Sequence, residues 1–241
     1  MKNLILYHII SMSKLIEGEK KARNPNQLGL IHPCRAIICG ASGSGKTRFI
    51  LEEIMLDPQS PFDKVIFVAP KFSLEQEKLQ KTKDLMGDRL ILIEGLDETK
   101  IGDELEASFY EGNQTLIVFD DLMNKKSRYM TDLFTSGRHR NASIIELTQR
   151  IFTDGRRTNR VNCDYYVIFN FGDQMEFKNL ALQLEPKHFK ELVEIYNDAT
   201  EDPHGCLIID TKHKCLKGIK DNKKLKYRKN NFSTIYEDIG F

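Results

Sequence analysis

Eight consecutive residues, Gly40-Ala41-Ser42-Gly43-Ser44-Gly45-Lys46-Thr47, leave this chain few folds to choose from. They spell G-x-x-x-x-G-K-[ST], a loop whose backbone N–H groups close around phosphate oxygens. Gly40, Gly43 and Gly45 permit the tight turn, with Ala41, Ser42 and Ser44 between them. Lys46 supplies a cation for the β- and γ-phosphates, and the Thr47 hydroxyl is an oxygen ligand for Mg²⁺. The largely apolar run 34–39 precedes the loop, and 48–55 follows with apolar residues at helical spacing. Strand, loop and helix in that order point the helix N-terminus at the same anion. The pattern predicts a nucleoside triphosphate site, with ATP and Mg²⁺ as the expected ligands.

Alternation along the rest of the chain gives the fold class. Continuous apolar runs at 64–69, 90–93, 115–119, 143–147 and 165–169 read as strands buried on both faces. Between them, 75–86, 97–108 and 127–135 read as helices, the acidic second one as solvated. Helices follow at 176–183 and 187–197, then peripheral strands at 206–210 and around 225–227. The expected architecture is α/β: a mostly parallel central sheet with helices on both faces. At 241 residues one such domain is accommodated. Its expected divisions are a lead-in at 1–33, an ATPase core at 34–175 and a C-terminal extension of the same domain at 176–241. Residues 1–10 resemble a signal sequence only faintly, translation starting at Met12 is an alternative, and no stretch reaches the ~20 apolar residues of a spanning helix. The expected location is therefore inside a cell, with no membrane partner.

Charge and cysteine usage narrow the partners. The net charge is +1, but 212–229 holds nine Lys or Arg against the single acid Asp221. Such a tail is either a solvated face or a surface for DNA phosphates. Five cysteines without a C-x-x-C pair fit a reducing compartment and buried thiols. His204-x-Cys206 and His213-x-Cys215 form a second possibility, a zinc site across a hairpin.

Two strand ends extend the site. The run Thr115–Phe119 delivers Asp120 and Asp121, as a strand C-terminus should in an open α/β sheet. Asp120 suits Mg²⁺; Asp121 suits the orientation and activation of the attacking water. The strand 143–147 delivers Gln149, an amide able to position that water or sense the γ-phosphate. Glu146 interrupts this strand and is expected to face outward at the sheet margin. Arg138 and Arg140 precede the strand, while Arg150 and 156–160 follow it. Either cluster can supply an arginine finger, an intersubunit contact or DNA contacts.

Taken together, GASGSGKT, LIVFDDL, SGRHRNASIIELTQRIF, RTNRVNCDYYVIFN and the stretch from Ala199 to Arg228 resemble the FtsK–HerA superfamily of P-loop ATPases. The likeness is strongest to its viral genome-packaging branch, typified by poxvirus A32-like ATPases and found also in virophages and Polinton-like elements, and it runs from His32 to Tyr236. It implies an additional-strand P-loop core assembling into a homo-oligomeric ring that drives double-stranded DNA into a capsid. The partners would be duplex DNA and viral capsid proteins, and the location the host cytoplasm or virus assembly site. The resemblance assigns Lys46 and Thr47 to phosphate and Mg²⁺, Asp120 to Mg²⁺, Asp121 to the catalytic acid position, Gln149 to the polar sensor and Arg138 to the finger. Asp121 is shorter than the Glu common in the superfamily. Two other classes share the loop: a nucleotide-gated switch or adaptor with little turnover, and a small-molecule kinase.

Overall fold

Seven strands make one sheet in the order β3-β2-β4-β5-β1-β6-β7. In a computed structural model, the structure describes residues 30–122, 128–152, 157–201 and 203–211, plus the backbone of 227–229 and 234–236. The strands are β1 (Arg35–Cys39), β2 (Lys64–Ala69), β3 (Leu90–Glu94), β4 (Thr115–Asp120), β5 (Ala142–Thr148), β6 (Tyr165–Phe169) and β7 (Cys206–Asp210). The β2–β3, β2–β4 and β1–β6 pairs are parallel, and β7 alone among the recorded pairings of this sheet runs antiparallel, on β6. β5, the strand that leads to Gln149, separates the strand of the phosphate loop from the strand of Asp120. The mostly parallel additional-strand sheet expected from the sequence is the one observed. A short antiparallel pair, β8 (Tyr227–Lys229) with β9 (Thr234–Tyr236), forms a second sheet.

The chain divides into two compact units. One comprises 1–34 with 49–145, the other 35–48 with 146–241. In the first, β2 and β4 are buried along almost their whole length, which is why both read as unbroken apolar runs. Of the helices, α2 (Lys71–Leu74) and α3 (Glu77–Met86) are short and edge-lying, and α4 (Glu98–Tyr110) buries Ile101, Leu105 and Ser108 at helical spacing. The acidic stretch is thus a helix as expected, but one face of it belongs to the core. Asp97 caps α4 by accepting from the Lys100 N–H. His32, in the expected lead-in, is 2% exposed. Its ring is held at 2.7 Å from Ser143 Oγ and 3.1 Å from Asn141 Oδ1.

The helix that leaves the phosphate loop departs from regular spacing. α1 (Lys46–Phe49) passes into a π-type stretch, Ile50–Met55, closed by an i→i+5 bond from Leu56 N–H to Leu51 O. Widening the turn lets Ile50, Leu51, Ile54 and Met55 all go inside. After α5 (Arg128–Ser136) the chain tightens into a 3₁₀ turn, Gly137–Arg140, that ends on Asn141 in the left-handed conformation.

The second unit is built around β1 and β6. Arg35 and Asp164 lock their starts together: the guanidinium donates twice to the carboxylate, at 3.0 and 2.8 Å, and the Arg35 backbone N–H donates to it at 2.8 Å. Tyr196 of α8 (Phe189–Ala199) stacks on Phe177 of α7 (Gln174–Leu184), with centroids 3.9 Å apart. Its hydroxyl accepts from the Phe171 N–H and donates to Phe169 O. That contact props the loop leaving β6, which forms one wall of the site.

Candidate nucleotide site

The phosphate loop leaves β1 at Gly40 under tight constraint. A Cβ there would sit 2.6 Å from Phe169 Cβ and 2.8 Å from Ser44 Oγ, so only glycine fits. Gly40 N–H donates to Thr148 O, and Ala41 N–H to Asn170 O, tying the loop to the ends of β5 and β6. Gly43 and Gly45 take φ of +75° and +106°, backbone that disfavours any side chain. Lys46 Nζ donates to the carbonyls of Gly40 and Ala41, both at 2.8 Å, and so lies folded along the loop. Ser44 Oγ is buried without a hydrogen-bond partner. A lysine folded along the loop, a buried hydroxyl without a hydrogen-bond partner and a glycine nest together fit an anionic guest.

A cavity of about 290 Å³ opens beside the first half of the loop, lined by Ala41, Ser42, Gln149, Arg150, Asp173 and Glu176 among others. Gln149, placed here by the end of β5, therefore shares a cavity with the loop. Asp173 and Glu176 were not singled out from the sequence. Asp173 caps α7 by accepting from the Met175 N–H, and Glu176 accepts from the Ile151 N–H. The available signal was positional: 170–173 follow the C-terminal end of a parallel strand, where site residues collect. Cys39, immediately before the loop, is no nucleophile. Burial above all, with the Glu176 charge adding and Lys46 opposing, pushes its thiol far above the ordinary range.

In the other unit, β4 ends on Asp120, 7% exposed, and the chain turns at Asp121 with φ +50°. A non-glycine residue in that region is held there by its surroundings. Thr47 in one unit and Asp120 in the other each carry a hard oxygen donor of the kind Mg²⁺ takes. Arg138, His139 and Arg140 are exposed on the 3₁₀ turn before β5. Gln149 leaves the other end of the same strand.

Several expectations change. Glu146 does not face outward; it is 2% exposed, and Asn159 of α6 (Arg157–Val161) donates to its Oε2 at 3.3 Å. Within the second arginine cluster, Arg160 is committed to structure, donating to Ile151 O at 3.1 Å and lying 4.7 Å above the Phe152 ring. Arg157 is exposed, and Arg156 lies outside the described residues. Cys34, Cys39, Cys163 and Cys206 are buried free thiols. Among the described residues no cluster of three or more His, Cys, Asp or Glu is placed to hold a metal. His213, Cys215 and most of the basic tail lie outside the described residues, as do residues 1–29. No described helix is long and apolar enough to cross a membrane.

Comparison with known proteins converges on the same class. The chain is similar in fold to B204, the DNA-packaging ATPase of Sulfolobus turreted icosahedral virus, with a TM-score of 0.58 and 14% identity over 81% of this chain and 97% of that one. It is similarly close to the genome-packaging NTPase B204 of Sulfolobus turreted icosahedral virus 2 in complex with AMPPCP, with a TM-score of 0.56 and 14% identity over 81% and 96% of the two chains. The complex of that NTPase with ATP-γS gives a TM-score of 0.57 at the same identity and coverage. At such identity these likenesses speak for the fold. No curated protein matches the sequence. The profile of the Poxvirus A32 protein family matches residues 98–232, more than half of the chain, taking in β4, Arg138 and Gln149; the phosphate loop at 40–47 lies outside the matched stretch. With that loop intact the chain is a P-loop ATPase that binds and hydrolyses ATP, and it belongs to the Poxvirus A32 protein family.

Proposed function

We propose that this ATPase is a genome-packaging motor that assembles as a ring and drives double-stranded viral DNA into a capsid. What carries the reading is membership of the A32 family, on a fold shared with a protein described as a DNA-packaging ATPase. Lys46 and the loop N–H groups hold the phosphates, and the ammonium balances charge that grows on the leaving oxygen. Thr47 and Asp120 would hold Mg²⁺, which would supply positive charge against the phosphates. Asp121 accepts a proton from a water whose oxygen attacks the γ-phosphorus. A new O–P bond forms as the bridging bond to the β-phosphate breaks, releasing ADP and phosphate. Gln149 orients that water by hydrogen bonding.

Arg138 serves a neighbouring subunit in this scheme. It precedes the start of β5, whereas Gln149 follows its end, and seven strand residues span about 20 Å. An arginine side chain does not cover that distance, so a finger at 138 acts in trans. Duplex DNA runs along Lys- and Arg-bearing surfaces, through phosphate contacts that carry no sequence information.

Steady-state ATPase measured with and without duplex DNA tests the proposal. Turnover should rise with any duplex regardless of sequence, and the half-saturating DNA concentration should climb steeply with salt as counterions are released. Turnover indifferent to DNA at low salt would contradict a packaging motor and favour a switch or a kinase.

A further inference from the structure

The turn between α8 and β7 lays His204 against the phosphate loop. Its Nδ1 lies 3.1 Å from the Ser44 carbonyl oxygen. A Cβ added to Gly45 would come within 3.2 Å of the same nitrogen, so Gly45 is glycine for this close approach as well as for its φ of +106°. A carbonyl oxygen only accepts, so Nδ1 carries the proton and donates. His204 itself sits at φ +64°, a conformation that costs a residue with a β-carbon and persists where something holds it. The side chain is exposed, so burial is not what fixes it.

A zinc site across a hairpin would need His204 and Cys206 side by side on one strand face. β7 begins only at Cys206, which is buried; His204 belongs to the turn and faces the loop instead.

The consequence lies in the geometry of one peptide unit. In a trans peptide the C=O and the following N–H point in opposite directions across a rigid plane. Holding Ser44 O from outside therefore turns the Gly45 N–H the other way, toward the inside of the nest. We infer that His204 is a positioning residue for nucleotide binding: it locks the Ser44–Gly45 peptide with its N–H presented to the phosphates. Without it, glycines on both sides of Ser44 leave that peptide free to flip, and the cost of fixing it falls on the incoming nucleotide. The inference rests on the ATPase assignment and is independent of DNA translocation.

The experiment compares wild type with His204→Ala and His204→Asn by titration with a fluorescent ATP analogue and Mg²⁺, without DNA. Asparagine tolerates positive φ, and its amide nitrogen lies close to where Nδ1 was, so it retains the donor. Alanine should weaken binding about 3- to 10-fold, the range of one neutral hydrogen bond, and asparagine should stay within about 2-fold of wild type. In steady state the alanine variant should raise KM and leave kcat unchanged, as loss of uniform binding requires. Because the residue is exposed, the melting temperature of the nucleotide-free protein should hold for asparagine and fall by only a few degrees for alanine, which loses one hydrogen bond and is less at ease at positive φ. Alanine binding as tightly as wild type would overturn the inference, and so would equal losses in both variants. A wild-type protein that takes up no nucleotide would bring down the ATPase assignment and this inference with it, an outcome distinguishable from the other two because the variants then have nothing to differ from.

Discussion

Two adjacent carboxylates that end β4 have different surroundings, and their roles should separate accordingly. Asp120 is buried at the strand end, while Asp121 is half-exposed in left-handed backbone at φ +50°. Asparagine adopts that backbone readily, so Asp121→Asn removes the charge while leaving the turn in place. We expect it to bind ATP and Mg²⁺ nearly as wild type does and to lose turnover by ~10² or more, the scale of a positioned general base. Asp120→Asn should instead weaken Mg²⁺-dependent nucleotide binding. Equilibrium titration and single-turnover hydrolysis, run side by side, separate the two. Equal losses of affinity with no selective slowing of turnover would show that the acids do not divide the work in this way. The pair was legible from sequence because an apolar run ending in acids marks a strand end; the backbone conformation that distinguishes them was not, since it depends on what packs around the turn.

Strands set the precision with which these residues are delivered, and β1 depends on β6 for its place. The bidentate Arg35–Asp164 pair sits at the start of both strands, with side chains 18% and 9% exposed. Asp164→Ala strands a guanidinium and the Arg35 backbone N–H in partly buried surroundings, so it should cost about 2–4 kcal/mol in urea unfolding of the nucleotide-free protein. A loss below about 0.5 kcal/mol would mean that the pair is ornamental, as exposed ion pairs commonly are. At this scale most of the fold was readable: 64–69 and 206–210 are strands with the boundaries expected from the sequence. What was not readable has a common cause, the dependence on partners remote in sequence. Glu146 was expected to face outward, and the Asn159 that donates to its Oε2 inside arrives on a helix later in the chain. The π-type stretch 50–55 has ordinary helical spacing, and only the need to bury four of its six side chains selects the wider turn. Arg160 looked like a free cation until Phe152 and Ile151 O enclosed it.

Assembly is where the whole molecule enters. If Arg138 acts on a neighbour's nucleotide, activity belongs to an interface between subunits, and a guanidinium supplied this way is worth ~10³–10⁵ in rate. Arg138→Ala subunits keep an intact phosphate loop, and Lys46→Ala subunits keep the finger; each should be nearly inactive alone. Mixed, they form some interfaces that pair a good loop with a good finger, so turnover should reappear. A mixture that co-assembles by light scattering yet stays inactive would rule out Arg138 in trans. Packaging demands more than hydrolysis, since the motor must move along DNA. A triplex-forming strand bound at one end of a linear duplex reports that motion when a translocating motor strips it off. Full-length protein with ATP and Mg²⁺ should displace the strand, with a lag that lengthens with the distance to be travelled. Lys46→Ala and a non-hydrolysable ATP analogue should give none. Robust DNA-stimulated hydrolysis with no displacement at any duplex length would contradict the packaging motor directly.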